Sequence, residues 1–538
     1  MSFSATSGNT RLLAERAIAA LRGGPNALTR ALTRPLPAFA LLGGVYLLLL
    51  IAQVALQTGG RNDDAELLLF GQDLQLGYDP KNPPLIVWAA WAVEQVLGPG
   101  LPAVRFTVLG TVFLTYLFVW LAARTVVTDR RLAVLAGLAP ATLLYVAWNP
   151  LINLSHTLAL GCLCAATLAA GLAFLARPGT PRALLLGLAV GLGLLTKYNF
   201  AVFLSGLALA MLAVPQARRT LLARQSLAAI PVVLAVAGPH YLWLAGQHEA
   251  AAAILETKWG LNDQVPWLSG VLEGLGALLQ GSLSFLLPML ALVPLVFWYA
   301  FVPGRRTAAS EPAENGRDAR RRVAGLAHLF MLLLMGGATL FGATQFATHH
   351  FFFLIGLPVW LFAVIDRTPV RTWSLNLFSL AVVGCLLAVL LSYFGWIEQN
   401  ARKCSKCGLL MPYETYAEGL RTAGFDPGTV LILGPGDFLP AEQMRPWMPE
   451  ARFLRPEGEI KRFFTPAPNA VPGDCAIVWL NSRFPEFGAR LRSEGVAGYP
   501  PLPETAVFGR IEGTLPLYGR AAPAMSYVLV EGGLGTCR

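Results

Sequence analysis

The sequence predicts a polytopic α-helical membrane protein that ends in a soluble α/β domain, and three observations carry this prediction. Of the 538 residues, 55% are hydrophobic and only 13% are charged, and the mean hydropathy is +0.55. Soluble domains carry charge at about a quarter of their positions. Long apolar runs recur through residues 37–396, whereas Pro, Gly, Arg and Glu interrupt every apolar run from about residue 400 onward.

Apolar runs long enough to cross the hydrocarbon core, which takes about 20 helical residues, predict about eleven spans. The two runs within 182–214 lie close together, and the short run at 84–98 is predicted to be a juxtamembrane helix instead of a span. The predicted spans cover residues 37–57, 102–123, 132–148, 153–176, 182–196, 199–214, 226–245, 276–302, 323–342, 349–365 and 373–396.

Arginines concentrate in alternate loops, which predicts the orientation of the chain because cytoplasmic loops retain positive charge. With residues 1–36 as a cytoplasmic segment and 37–399 as the transmembrane domain, the loop at 58–101 faces outward. Up to residue 396, the outward loops then carry only Arg61, Lys81, Arg105, Lys197 and Lys258. This sorting accounts for most of the net charge of +10, so no nucleic-acid partner is expected.

An odd number of spans places residues 400–538 on the outer face as a separate domain. Its segments TYAEGLRTAGF and AEQMRPWM are predicted to be helices, and GTVLILG, DCAIVWL and MSYVLVEG to be strands,. An α/β sandwich is the expected fold.

The seven cysteines divide between the two parts of the chain. Cys162, Cys164 and Cys385 fall inside apolar spans, where a cysteine behaves as a small hydrophobe. The outer domain, where oxidation is permitted, holds Cys404, Cys407, Cys475 and Cys537. Disulfides are the simplest interpretation, and half a zinc site or a redox pair at KCSKC stays open.

Carboxylates cluster in the outward loop at 58–101, at Asp63, Asp64, Glu66 and Asp73. Acids near a membrane surface are costly unless they have a partner or a task. Capping of a helix that begins near Asn62 is one interpretation, and a general base at the membrane–water boundary is the other.

Further polar residues recur on the same face of the predicted membrane domain. Lys197 and Tyr198 interrupt an apolar stretch, His156 lies near the outer end of its span, and His349 and His350 begin a late span. A lone membrane histidine is usually a packing residue. A lysine, three histidines and paired acids on one side favour a functional site, although charges at membrane depth also mark transport pathways.

Three segments together resemble the class C membrane glycosyltransferases, in the bacterial branch related to protein O-mannosyltransferases and lipid A aminoarabinose transferases. The first is DD-A-E after the first span, followed by G-Y and PPL-x-x-W; the others are GLGLLTKYNFAVFL and HHFFFLIGLPVWL. Their order and sidedness agree with that family over residues 37–396.

The resemblance implies inverting transfer of a sugar from a polyprenyl-phosphate donor to a lipid or glycolipid acceptor of the lipid A type, at the outer face of the bacterial inner membrane. It places the general base at the first acid of the motif, Asp63. Residues expected to bind the donor are Asp64, Lys81, Lys197, Tyr198, His349 and His350. Residues expected near the acceptor or behind the site are Glu66, His156, His248 and Lys258.

The resemblance assigns no cofactor and no metal ligand, and a requirement for a divalent cation stays open. The chain departs from the family at two positions. Asn82 stands where a Lys or His often precedes the Pro pair, with Lys81 one position earlier, and His156 stands where many relatives carry an acid that would bear on the sugar. Cationic histidines suit an acidic sugar such as galacturonate better than aminoarabinose. A protein O-mannosyltransferase-like enzyme and a transporter or flippase of lipid-linked sugars are the alternatives.

Overall fold

The computed structural model describes residues 24–247, 266–302, 315–403, 407–425, 430–433, 442–454, 475–480 and 485–493, together with 496, 499, 502 and 506–530. The chain divides into two compact units. The first unit comprises Met1–Tyr46, Thr111–Pro150 and His156–Leu390. The second comprises Leu47–Gly110, Leu151–Ser155 and Leu391–Arg538.

Most of the described chain is helical. The helices are α1 (Ala27–Leu32), α2 (Pro35–Leu56), α3 (Asn62–Phe70), α4 (Leu85–Leu97), α5 (Leu101–Val126), α6 (Arg130–Leu138), α7 (Leu144–Ala147), α8 (Ser155–Ala176), α9 (Thr180–Leu194), α10 (Phe200–Ala213), α11 (Pro215–Leu221), α12 (Ala229–Ala245), α13 (Trp267–Val296), α14 (Asn315–Thr339), α15 (Leu357–Ile365), α16 (Thr372–Lys403), α17 (Tyr413–Thr422) and α18 (Phe487–Ser493). Short 3-10 segments occur at Ala139–Thr142, Asn149–Leu151, Arg224–Ala228, Trp298–Ala300, Thr348–Gly356, Cys407–Leu409 and Glu442–Trp447.

The predicted count of eleven membrane spans is not confirmed. Within the described residues, eight helices are long and apolar enough to cross a membrane, and two bent helix pairs raise the count to ten. The predicted span at 182–196 is α9, which at 15 residues is shorter than the usual crossing length. A count of eight to ten leaves open whether the number of spans is odd or even. The outward placement of residues 400–538 depended on an odd number, so that placement stays a prediction.

Both bent pairs have a local cause that hydropathy does not record. The predicted span at 132–148 bends by 82° between Arg130–Thr142 and Leu144–Leu151, where Leu143 is extended. The chain turns by 114° between α10 and α11. There Pro215 cannot continue the helix, and the preceding Val214 is extended, as residues before proline usually are.

Small residues allow helices of the first unit to approach closely, which is how packing replaces the hydrophobic effect between helices inside a bilayer. A Cβ added at Gly206 on α10 would lie 2.6 Å from Met331 Cγ of α14. A Cβ at Gly187 on α9 would lie 2.6 Å from the Ala229 carbonyl oxygen of α12. Larger residues at these glycines would separate the helices.

The C-terminal part of the second unit contains a five-stranded mixed sheet. Its strands are β1 (Val430–Leu433), β2 (Arg452–Leu454), β3 (Cys475–Leu480), β4 (Val507–Ile511) and β5 (Met525–Val530). The strand order is β2-β1-β3-β5-β4. β1 pairs in parallel with β2 and β3, whereas β5 pairs antiparallel with β3 and β4. Phe487 and Leu491 of α18 pack against Trp479, Val528 and Val530 of the sheet.

The predicted strands β1, β3 and β5 and the helix α17 are confirmed, whereas β2 and β4 were not predicted. The segment AEQMRPWM, predicted to be an α-helix, forms the 3-10 segment Glu442–Trp447. Pro446 has no backbone N–H to donate. β4 escapes prediction because this edge strand is largely exposed and lacks the alternating apolar pattern of a buried strand.

The described cysteines agree with their predicted environments. Cys475 is disulfide-bonded, which confirms the disulfide interpretation for this residue. Cys162 and Cys164 are buried free thiols, and Cys385 is a partly exposed one.

Candidate functional site

The acidic loop begins with the short helix α3, and Asp64 explains why the helix starts there. The Arg61 backbone N–H donates a hydrogen bond to Asp64 Oδ2 over 2.8 Å, as in the capping arrangement in which a third-position acid reaches back to the cap. A Cβ at Gly60 would overlap the Asp64 side chain, so the chain needs a glycine immediately before this turn. The predicted capping role is confirmed for Asp64.

Asp64 is also the buried partner of Arg105, which lies on α5. The Arg105 guanidinium contacts Asp64 Oδ2, and the two side chains are 1% and 3% exposed. Two charges at this depth are stable only as a pair. In the structure the Asp64 carboxylate holds the loop, and its role in donor binding stays a prediction.

Asp63 points in a different direction, toward the start of α8. Its Oδ2 accepts hydrogen bonds from the backbone N–H of Leu154 (2.9 Å) and of Ser155 (2.8 Å), and from Ser155 Oγ (3.3 Å). Its own N–H donates to Asn153 Oδ1 over 3.3 Å. A helix N-terminus stabilises negative charge through such donors. These hydrogen bonds therefore hold the Asp63 carboxylate in one orientation.

The backbone at Leu154 makes this arrangement possible. Leu154 has φ +82° and is the one described non-glycine residue with a positive φ. Left-handed backbone costs a non-glycine residue of order 1–3 kcal/mol and is retained where the surrounding structure requires it. Here it brings two successive N–H groups onto a single carboxylate oxygen.

Asp63 has a cationic neighbour in Arg61. Burial lowers the pKa of Arg61, and the charge of Asp63 acts in the opposite direction. Asp63 itself is only partly buried. A partly exposed carboxylate that is held by hydrogen-bond donors and lies near a cation can bind a polar group.

The remainder of the loop is held by the aromatic residues of the motif on which the family resemblance depended. Tyr78 is 3% exposed and stacks on Phe70 with ring centroids 5.2 Å apart. Its hydroxyl donates to the Asp73 carbonyl over 2.7 Å, and burial raises its pKa to about 12. Trp88 Nε1 donates to the Gln75 carbonyl over 2.7 Å. The G-Y and PPL-x-x-W signals therefore mark residues that shape the loop.

Lys81 and Glu66, the other predicted site residues of this loop, lie near its surface. Lys81 is exposed, its backbone N–H donates to Asp79 Oδ1 over 2.7 Å, and Glu66 is partly buried on α3. Lys81 therefore lies in a tight turn that begins at Asp79.

The other predicted site residues belong to the first unit. Lys197, in the turn between α9 and α10, donates from Nζ to Thr157 Oγ1 over 2.9 Å, in the first turn of α8. Tyr198 is partly buried beside it in sequence, and His156 is 5% exposed. Lys197 therefore has a polar partner in an otherwise apolar environment.

His349 and His350 form an edge-to-face ring pair with centroids 4.5 Å apart, and both are partly exposed in the 3-10 segment Thr348–Gly356. The predicted residues His248 and Lys258 lie outside the described residues. In the described ranges, no group of three or more His, Cys, Asp or Glu side chains is arranged to hold a metal ion.

Sequence reasoning missed one buried pair beneath the loop, Glu94 and Arg445. Arg445 Nη1 lies 3.0 Å from Glu94 Oε2 and donates to the Leu68 carbonyl over 2.6 Å. Burial raises the pKa of the Glu94 carboxyl to about 7, and Arg445 opposes that rise. The signal that was available is Glu94 itself, a single acid inside the apolar helix α4.

Comparison with known proteins agrees with this architecture. A family model described as dolichyl-phosphate-mannose-protein mannosyltransferase matches residues 81–243. The lipopolysaccharide core galacturonosyltransferase RgtA of Rhizobium johnstonii is 32% identical over 299 residues, which are 56% of this chain and 59% of RgtA. RgtB of the same organism is 27% identical over 418 residues, 77% of this chain and 82% of RgtB.

The crystal structure of ArnT from Cupriavidus metallidurans bound to undecaprenyl phosphate shares the fold, with a TM-score of 0.55 at 12% identity over 93% of this chain and 99% of ArnT. In sequence and in fold, the chain resembles the class C membrane glycosyltransferases. Its multi-pass membrane architecture follows from the fold. The matched family range begins at Lys81, so it leaves Asp63 and Asp64 outside and the roles of these acids depend on their geometry.

The Asp64–Arg105 pair predicts a specific stability pattern. Asp64→Asn or Arg105→Met leaves the other charge buried without its partner, which costs about 3–5 kcal/mol. The double variant removes both charges and is expected to lose less than the sum of the two single variants. Thermal unfolding in detergent measures all three. Additive losses would show that the two side chains do not depend on each other.

The raised pKa of Glu94 predicts a pH dependence. Since its folded-state value, about 7, exceeds the ordinary 4.5, the folded protein binds the proton more tightly than the unfolded chain does. The contribution of Glu94 to stability is therefore fully present below about pH 4.5 and is lost as the pH rises through about 7. Compared with Glu94→Gln, the melting temperature of the wild type should fall across this window and stay level above it. Parallel melting curves would contradict this.

Proposed function

We propose that this protein transfers a sugar from a polyprenyl-phosphate donor to a glycolipid acceptor of the lipopolysaccharide type, with inversion, at the outer face of the inner membrane. The observation that carries the proposal is the anchored carboxylate of Asp63. Three comparisons support it. The description of the matched family names a dolichyl-phosphate sugar, and RgtA and RgtB are named for the lipopolysaccharide core. ArnT was crystallised with undecaprenyl phosphate.

In the proposed reaction, Asp63 acts as general base. The acceptor hydroxyl attacks the anomeric carbon as its proton passes to the Asp63 carboxylate, and the bond from that carbon to the phosphate oxygen breaks. A carboxylate within hydrogen-bond reach of the attacking hydroxyl accelerates such a step by about 10²–10⁴. The donors from Leu154 and Ser155 hold the carboxylate in one orientation, so the cost of ordering it is met before substrate binds.

The polyprenyl phosphate leaves as an anion, and cations stabilise the charge that develops on it. Lys197 and Lys81 are the proposed cations, Tyr198 is proposed beside Lys197, and Glu66 is proposed on the acceptor side. The proposal includes no cofactor. We also propose a cytoplasmic N-terminus, supported by the arginine distribution. A periplasmic C-terminal domain is proposed because Gln443 and Arg445 of this domain bind the outward loop at Gly60 and Leu68.

A galacturonate donor is proposed for two reasons. RgtA and RgtB are named as galacturonosyltransferases, and His349, His350 and His156 offer side chains that are cationic when protonated. Transfer to a protein is the second candidate, favoured by the description of the matched family. The acceptor that gains the sugar distinguishes the two.

The first test replaces Asp63 with Asn, which keeps the shape of the side chain and removes its basicity. Transfer of sugar to lipopolysaccharide by the purified protein is expected to slow by about 10²–10⁴. Asp73→Asn is the matched control, because Asp73 is another acid of the same loop and its carboxylate pairs with Arg452 over 3.4 Å. Full activity of Asp63→Asn would end the general-base assignment.

The second test compares polyprenyl-phosphate galacturonate with a neutral polyprenyl-phosphate hexose. The wild type should prefer the acidic sugar in kcat/KM by at least roughly tenfold, and His349→Gln with His350→Gln should reduce this preference more than it reduces turnover of the neutral sugar. Mass spectrometry of the product lipids measures both. Equal turnover of the two donors would refute the acidic-sugar proposal.

A further inference from the structure

The C-terminal domain contacts both ends of α3. Ahead of the helix, the Gly60 N–H donates to Gln443 Oε1 over 3.0 Å. At the other end, Arg445 donates from Nη1 to the Leu68 carbonyl over 2.6 Å and from Nη2 to the Gly71 carbonyl over 3.2 Å. The last carbonyls of a helix have no partner within the helix, so a side chain from a distant part of the sequence satisfies them.

The guanidinium of Arg445 is built into this position. Arg445 is 9% exposed, and its charge is balanced by Glu94, which is 4% exposed. A positive charge at a helix C-terminus also complements the helix dipole. The planar fork of five N–H donors reaches two carbonyls and a carboxylate at once, which a lysine ammonium does not reproduce.

The chain that leaves α3 is fastened to the same domain. Gln72 Nε2 donates to the Phe453 carbonyl over 3.0 Å, and the Phe453 N–H donates to Gln72 Oε1 over 2.8 Å. Phe453 belongs to β2, at one edge of the sheet. The side-chain amide of Gln72 thus pairs with this edge of the sheet as a neighbouring strand would.

We propose that Arg445 is a positioning residue for sugar transfer: through α3 it sets the orientation of Asp63. The helix has nine residues and is about 13 Å long, so it moves as one piece and its C-terminal attachment constrains its N-terminus. Gln443, Arg445 and Phe453 form what we call the α3 clamp. This inference rests on the proposed function, since it assigns the clamp a role in the reaction that Asp63 is proposed to catalyse.

The experiment compares the purified full-length wild type with Arg445→Met, Arg445→Lys and Arg510→Met. Arg510 is the matched control, because it makes only an exposed pair with Glu512 at 3.3 Å among the contacts described and lies on β4, away from the clamp residues. Two quantities are measured: kcat and KM for the polyprenyl-phosphate sugar, and hydrogen–deuterium exchange of the α3 amides.

We expect Arg445→Met to lower kcat at least roughly tenfold, as loss of orientation does, with KM for the donor changed by less than about threefold, and to accelerate exchange across α3. Arg445→Lys should restore part of kcat, and Arg510→Met should behave as the wild type. An unchanged kcat in Arg445→Met would overturn the proposal, and so would a reduced kcat with unchanged exchange in α3.

Failure of the proposed function is distinguishable from failure of this inference. If the wild type transfers no sugar from a polyprenyl phosphate, the proposed function is refuted, and unchanged exchange across α3 in Arg445→Met would refute the clamp separately. If Arg445→Met does not fold, Gln443→Ala removes one contact of the clamp and is expected to show the same two effects to a smaller degree. Wild-type values for both quantities in Gln443→Ala would then refute the clamp.

Discussion

Two adjacent carboxylates with opposite partners organise the loop on which the proposed chemistry depends. Asp64 turns inward to the guanidinium of Arg105, and Asp63 turns to the backbone donors at the start of α8. Consecutive residues in the first turn of a helix point about 100° apart, so Asp64 anchors the turn while Asp63 faces the backbone donors of Leu154 and Ser155. The anchoring pair tolerates no other arrangement, because a buried charge without its partner is far more costly than the pair.

Several features of the fold were predictable because they are encoded locally. The acids at the start of α3 indicate a helix N-terminus, and the short apolar runs of β1, β3 and β5 indicate strands. The role of Asp64 was not predictable, since its partner Arg105 comes 41 positions later and nothing in the sequence pairs them. The predicted span count is not confirmed, because hydropathy records neither the bend at Leu143 and the turn at Pro215 nor the short length of helix α9.

The candidate site was predicted in part for the same reason. Asp63 was predicted from a motif, but its hydrogen-bond donors, the N–H groups of Leu154 and Ser155, were not. Every sequence has such N–H groups, and the positive φ of Leu154 is what directs these two at one carboxylate. Arg445 was missed altogether, because an arginine in a polar domain is unremarkable until the fold buries it against the end of α3. Glu94, an acid alone in an apolar helix, was the detectable half of that pair.

The pairing of Gln72 with the backbone of Phe453 has a consequence for how such enzymes diversify. The hydrogen bonds of the Gln72 side chain and of Arg445 join the outward loop to the C-terminal domain. The two segments are far apart in sequence, since about 350 residues separate Glu94 from Arg445. A chimaera with residues 58–101 from one relative and the C-terminal domain from another would combine two surfaces that did not evolve in contact with each other. We therefore expect a recombinant of two relatives to keep these contacts when both segments come from the same parent.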